Sequence, residues 1–369
     1  MKIGIIGTRG IPNRYGGFEQ FAEYVSPELV QRGHEVYVYN SSQHPFKEKE
    51  WKGVKIVKAY DPENRIGTAG QFVYDFNCIV DCRKKNFDVI LQLGYTSSSI
   101  WSFLFPKKSI VITNMDGLEW KRTKYSNRVQ SFLKRAERWA AIKSDYLIAD
   151  SKGIQQYLLN KYNKKSHFIA YGAELVDMPE EDMLSRYDLK KFDYNLVIAR
   201  MEPENNIESV ILGHLNSSTN KPLVIIGGVN HNFGRYLKST YANDKIKFCG
   251  PVYDLQVLNA LRFFSNLYFH GHSVGGTNPS LLEAMASYCL IVASDNTFNK
   301  SILEEDAFYF NSEKDVTDLL NRNLVREEFR AMLESNADKI RQQYSWNHII
   351  NQLENFLLNA VEESIYKRK

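Results

Sequence analysis

The stretch HGHSVGGTNPSLLEAMA, His270 to Ala286, puts a carboxylate one turn inside a helix that could receive an anion. An apolar run ends at His270–His272 and a Gly-Gly turn follows. A helix is expected to begin at Asn278–Pro279, because asparagine suits a helix cap and proline suits the first turn. The amides at Ser280 and Leu281 would then be unpaired and would point toward negative charge. Glu283 follows within one turn, and its two acceptor oxygens fit the vicinal hydroxyls of a ribose beside the phosphates. A second stretch, GTRGIPNRYGGFE, Gly7 to Glu19, carries four glycines after the apolar KIGII. It lacks the G-x-G-x-x-G spacing of a dinucleotide fingerprint, and the next strand ends in YNSS rather than in an acid. It also lacks the Gly-Lys-Ser/Thr of a P-loop. Two readings remain: a loop whose amides at Gly16–Gly17 receive an anion, or a loop that needs glycine only for its turns.

Both stretches sit within a regular alternation. KIGII, HEVYVYN, VKIVKAY, DVILQLG, SIVITNMDG and DYLIAD read as strands, with helices over about 18–32 and 70–85, over the basic stretch after 121, and from Ser151. Gly33 is placed as a helix C-cap and Ser151 as an N-cap. After a polar stretch at 172–190 the alternation restarts with YNLVIAR, PLVIIGG, IKFCG, NLYFHGH, LIVASD and AFYF. Short apolar strands alternating with helices predict an α/β protein of two doubly wound, Rossmann-like domains. Ligand is then expected at the carboxyl ends of the strands, in a cleft that the two domains face.

Composition narrows the class further. The 369 residues are 43% hydrophobic and 24% charged, as in a soluble globular protein. No apolar run approaches the roughly 18–20 residues of a membrane span. The start MKIGIIGTRG has no signal-peptide pattern, so the expected location is the cytoplasm. The four cysteines are too few for a disulfide scaffold, and Cys78 and Cys82 read as small buried residues. Net charge is only +4, but residues 121–143 hold eight Lys or Arg against one acid, Glu137. A basic helix with aromatics could dock on an anionic membrane or simply be a solvated face. Nucleic acid is disfavoured, because the charge is local and no stacking pattern accompanies it.

SLLEAMA after its Gly-rich turn, ARMEPENNIE and CGPVYDLQVLNAL together resemble the retaining GT-B glycosyltransferases, of the family 4 type, that use nucleotide sugars. GGFE and NMDGLEWKR narrow the likeness to a subgroup of bacterial polysaccharide enzymes that includes β-1,4-rhamnosyltransferases using dTDP-rhamnose. The resemblance covers nearly the whole chain. It implies an acceptor domain over 1–175, a donor domain over 190–344 and a last helix, 345–369, that returns to the first domain. It places Arg200 on the diphosphate, Glu283 on the ribose and the backbone of Gly250, Pro251 and Val252 at the base. His272, Thr277, Asn278, Ser280 and Leu281 complete the donor side, and Gly16–Gly17 close over the reaction centre. Asp116, Glu119 and Arg122 fall on the acceptor side; for Asp116 a plain turn role in MDG is the rival reading. The implied activity is sugar transfer with retention onto a saccharide on polyprenyl diphosphate, at the inner face of the plasma membrane. No cofactor or metal is implied, and no Asp-x-Asp cluster is present.

The chain departs from that pattern at two positions. Gly275 stands where the class has a glutamate, and Asn205 where it has a lysine. These departures keep two rivals open: another nucleotide-sugar enzyme on the same fold, an epimerase or phosphorylase, and a catalytically degenerate nucleotide-sugar-binding domain.

Overall fold

A computed structural model describes residues 1–122 and 125–368. Thr123 and Lys124 of the basic segment, and Lys369 of the last helix, lie outside the described residues. The chain divides into two compact units. One holds residues 1–120, 125–171 and 346–369; the other holds 121–124 and 172–345.

The first unit is built on β1 (Lys2–Ile6), β2 (Glu35–Ser41), β3 (Glu50–Trp51), β4 (Val54–Ala59), β5 (Val89–Leu93), β6 (Ile110–Asn114), β7 (Tyr146–Ala149) and β8 (His167–Phe168). Their order across the sheet is β3-β4-β2-β1-β5-β6-β7-β8. Only β3 runs antiparallel, on the edge beside β4. The helices are α1 (Gly17–Gln31), α2 (Glu63–Ile66), α3 (Gly70–Lys85), α4 (Asn127–Lys143) and α5 (Lys152–Tyr162). Ser151 caps α5 by accepting the Ile154 amide, and Gly33 takes the left-handed φ of +86° just past α1. Every residue of β5 and β6 is buried, as parallel strands covered on both faces require. Cys78 and Cys82 lie in this core with Tyr39, Tyr74 and Phe87.

The second unit contains β9 (Asn195–Ile198), β10 (Leu223–Ile226), β11 (Ile246–Gly250), β12 (Leu267–His270), β13 (Ile291–Ser294) and β14 (Phe308–Phe310). All are parallel, in the order β11-β10-β9-β12-β13-β14. Renumbered from β9, this is 3-2-1-4-5-6, the doubly wound order of dinucleotide-binding folds. Its helices are α6 (Ile207–Leu215), α7 (Asn232–Tyr241), α8 (Leu255–Phe263), α9 (Pro279–Ala286), α10 (Thr297–Leu303), α11 (Glu313–Asn321) and α12 (Arg330–Lys339). The pattern reading assigns no helix at α7 or α10. Both are short, and α10 is started by Asn296, whose side chain accepts the amides of Phe298 and Asn299.

The last helix, α13 (Trp346–Arg368), belongs to the first unit. Trp346 stacks on Tyr24 at 4.3 Å, and Glu354 receives Arg32 at 2.6 Å and His34 at 2.9 Å. Among the described residues no helix is long and apolar enough to cross a membrane.

Beneath the glycine loop, Asp75 is buried and accepts a hydrogen bond from Ser97 Oγ at 2.6 Å. Burial pushes its carboxyl from 3.8 up to about 6. Between these values the folded chain keeps a proton that the unfolded chain has released. Stability therefore falls as pH rises through that window and stays lower above it. Asp75→Asn keeps an acceptor for Ser97. It should stabilise the protein near pH 8 by up to about 3 kcal/mol, at 1.36 kcal/mol per pKa unit, and have little effect below about pH 4. Denaturant unfolding at both pH values measures this, and a gain that does not depend on pH would refute it.

Candidate active site

The glycine loop of the first unit already holds a carboxylate. The Arg9 amide donates to Glu19 Oε1 at 2.7 Å, and the Gly16 amide also bonds this carboxylate. Glu19 is buried, and that burial pushes its carboxyl above the ordinary range. The Gly16 amide, expected to receive a phosphate, is bonded in this structure to an internal acid in the first turn of α1. Gly17 approaches the buried ring of Tyr171, which a Cβ there would meet at 3.4 Å. The Arg9 side chain is bidentate to Glu63 and lies over the exposed ring of Tyr15. These bonds tie the loop to α2.

Asp116 takes φ +49°, with its amide bonded to Asn114 Oδ1 at 3.0 Å. This is the backbone expected of the turn role. The side chain is half-buried, and its charge, with that of Glu119, bears on the buried hydroxyls of Tyr95 and Tyr171. Burial is the first cause that raises both tyrosines. No spacing in the sequence marks either ring as a site group, two among 22 tyrosines. Arg122 is the third of the acceptor-side candidates. It groups with the second unit, where its guanidinium lies 3.5 Å from the buried carboxylate of Glu204.

In the second unit the turn after β9 carries Arg200, which is exposed and makes no ion pair among the described residues. Its backbone is held in place. The Arg200 carbonyl accepts Asn205 Nδ2 at 2.8 Å and the Glu202 amide at 2.8 Å. Asn205 therefore positions the arginine's main chain and adds no charge of its own. Asn206 Nδ2 donates to the Gly271 carbonyl, and the Ser273 amide donates to the Glu204 carbonyl. These bonds zip the Arg200 turn to the end of β12. Gly271 has no room for a side chain, because a Cβ would stand 2.1 Å from the Asn205 carbonyl oxygen.

His270 and His272 stack with ring centroids 4.4 Å apart. Burial, with the charges of Arg200 and Arg122, pushes His272 down to about 3. Burial and His272 likewise hold His270 well below its ordinary value. Both rings are neutral at pH 7, and no group of three metal-binding side chains exists among the described residues. The His272 carbonyl accepts Asn296 Nδ2 at 3.0 Å and Asn299 Nδ2 at 3.1 Å. Gly275 has φ +131°, a backbone that side chains rarely adopt, which explains why glycine stands there.

α9 starts as its sequence predicts, with Asn278 as cap and Pro279 in the first turn. Its amides are not free, however. Asn278 Oδ1 takes the Ser280 amide at 2.9 Å and the Asn278 carbonyl takes the Leu281 amide at 3.0 Å. The same cap that marks the helix start removes the donors expected at Ser280 and Leu281. The Ser280 hydroxyl instead meets Tyr268 Oη at 2.7 Å. Thr277 is buried just ahead of the cap. Gly250 takes φ +75° and accepts the Gly227 amide, while Pro251 is exposed and Val252 half-exposed at the same carboxyl edge of the sheet.

Glu283 is partly exposed and is paired from below with Arg262 on α8, whose side chain is only 2% exposed. Glu283 and Tyr268 offset the cost of burial, so the guanidinium stays above its ordinary pKa. Arg262 is the principal site residue that sequence reasoning missed. Its only clue is a charged residue on the apolar stripe of VLNALRFF.

Two parallel-sheet, Rossmann-like units with this strand order define the fold of the GT-B glycosyltransferases. Residues 185–340 match the family described as "Glycosyl transferases group 1", and residues 1–174 match a "Domain of unknown function (DUF1972)". An uncharacterized glycosyltransferase of Methanocaldococcus jannaschii is 23% identical over 303 residues, 76% of this chain and 77% of that protein. Among solved structures, a sucrose-phosphate synthase of Thermosynechococcus elongatus superposes over 100% of both chains with TM-score 0.81 and 15% identity. HepE of Anabaena, solved with UDP and glucose, gives TM-score 0.74 over 97% of this chain and 99% of its own, at 13% identity. The fold is that of the GT-B glycosyltransferases, and the match to the group 1 glycosyltransferase family is confined to residues 185–340, within the second unit.

Proposed function

We propose that the protein transfers a sugar, with retention, from a nucleotide-sugar donor to a saccharide acceptor. The single observation that carries this reading is the Glu283–Arg262 pair. It holds a partly exposed carboxylate in the unit that matches the glycosyltransferase family, at the same carboxyl edge of the sheet as Arg200. Glu283 would hold the ribose diol, and Arg200 would bind the diphosphate. The HepE structure with UDP and glucose supports a donor of this class. The preferred donor is dTDP-rhamnose and the preferred acceptor a saccharide on polyprenyl diphosphate, both resting on the motif resemblance.

In such a transfer, charge grows on the leaving diphosphate as the anomeric carbon becomes oxocarbenium-like. Arg200 is suited to stabilise that charge by bidentate bonds. The acceptor hydroxyl gives up its proton to the leaving phosphate on the same face of the sugar. Asp116 remains a candidate to orient that hydroxyl.

A thermal-shift screen of dTDP, UDP, GDP and ADP with their common sugars tests the donor. A ligand that binds only the folded state raises the melting temperature as its concentration passes Kd. The dTDP pair should give the shift, and a shift with UDP or GDP compounds alone would change the sugar assignment. Arg200→Ala should lower kcat by roughly 10²–10³, by analogy with loss of one oxyanion donor, without lowering the ligand-free melting temperature. Release of nucleoside diphosphate without any acceptor would argue against transfer. Proton NMR of the new anomeric centre reads retention.

A further inference from the structure

α4 presents Arg128, Ser131, Arg135, Arg138 and Ile142 at spacings of three and four, all exposed, with Trp139 exposed beside them. The opposite face buries Leu133, Ala136, Glu137, Ala140 and Ala141. Among the described residues none of the three arginines makes an ion pair. Lys134 turns to the side, over Trp120. The arginines therefore form a free cationic stripe.

The 3₁₀ helix Ser99–Leu104 packs against α4. In a 3₁₀ helix residues three apart eclipse, so Ile100 and Phe103 share one face. Both are exposed, Phe103 at 70%. Two packed elements thus expose four large apolar side chains, Ile100 and Phe103 on the 3₁₀ helix and Trp139 and Ile142 on α4, together with the three arginines. Arg128 and Arg135 also line, with Asn127, Ser131 and Phe132, a hollow of about 340 Å³.

We propose that this face docks on an anionic phospholipid bilayer. Arg128 and Arg135 hold lipid phosphates at the hollow, and Ile100, Phe103, Trp139 and Ile142 enter the interface. The charge sign chooses the partner, and the mixture of arginine with aromatic and aliphatic side chains is what an interface between water and acyl chains selects. The surface belongs to the first unit and the donor residues to the second, so its test needs no nucleotide and leaves the transferase reading untouched.

The test is flotation of the full chain with phosphatidylcholine vesicles, with and without phosphatidylglycerol. Binding should require the anionic lipid and weaken with salt. At about fivefold per charge, replacing Arg128, Arg135 and Arg138 by Gln should weaken it roughly a hundredfold. Phe103→Ser and Ile142→Ser should each weaken it by about tenfold. All five side chains are exposed, so melting temperatures should hold and confirm that the variants fold. No flotation with anionic vesicles, equal flotation with neutral ones, or no loss in the triple-arginine variant would each overturn the proposal.

Discussion

Glu283→Ala is expected to unfold the protein far more readily, by about 3–5 kcal/mol, before any effect on ligand is considered. The reason lies below the carboxylate. Arg262 is almost wholly buried, and Nε and Nη1 have no hydrogen-bond partner among the described residues. Removing Glu283 strips the remaining guanidinium edge of its carboxylate and leaves an uncompensated charge in the interior. At roughly 2–4 °C per kcal/mol for a domain of this size, the loss should be plain in a melting curve. Glu283→Gln keeps an acceptor for Arg262 and should cost less. The double variant Arg262→Met, Glu283→Leu removes both charges together and should return most of the stability, as replaced buried pairs do. A ligand assay on Glu283→Ala alone would mix stability with binding. The melting shift on adding nucleotide, measured on Glu283→Gln against its own ligand-free baseline, separates them. If Glu283→Ala melts within about 1 kcal/mol of the parent, Arg262 is not held by that pair and this account fails.

The same pair marks the limit of what the sequence makes legible. Strands such as DVILQLG and SIVITNMDG announce themselves because a buried parallel strand is apolar throughout. The start of α9 is equally plain, since Asn-Pro is a cap followed by a first turn. What the capping rule does not reveal is which acceptor takes the first amides, and here Asn278 takes those of Ser280 and Leu281. Glu19 hides the same kind of answer. In GGFE it reads as part of a motif, yet it is the carboxylate that the loop itself encloses. The pairings of Arg262 and Arg122 lie beyond sequence reasoning for a different reason. Their partners, Glu283 and Glu204, are 21 and 82 positions away, and pairing over such separations is set by topology, not by local pattern.

Glu137→Leu is the second change expected to be severe, and it bears on how the basic helix is built. Glu137, the single acid in residues 121–143, is 2% exposed. Its Oε1 accepts Tyr162 Oη at 2.6 Å, Tyr157 Oη at 2.7 Å and Lys161 Nζ at 3.0 Å, and its Oε2 accepts Trp120 Nε1 at 3.0 Å. One carboxylate thus joins α4, α5 and the segment before α4. Leucine fills similar space but strands two hydroxyls and an indole N–H, and it leaves the exposed Lys161 ammonium without its carboxylate. Each stranded neutral donor costs about 1–3 kcal/mol, while loss of the Lys161 pair adds little, because that ammonium is already exposed and turns into water. The net expectation is at least about 3 kcal/mol, confined to the first unit, so calorimetry should show one of two unfolding steps moving down while the other stays. Glu137→Gln keeps acceptor and size and should lose roughly half as much. Vesicle flotation of Glu137→Gln below its melting temperature should remain close to the parent, because the exposed arginine stripe is on the opposite face of the helix. A Glu137→Leu protein that melts like the parent would show that the four donors find water instead, and that the carboxylate does not hold this face together.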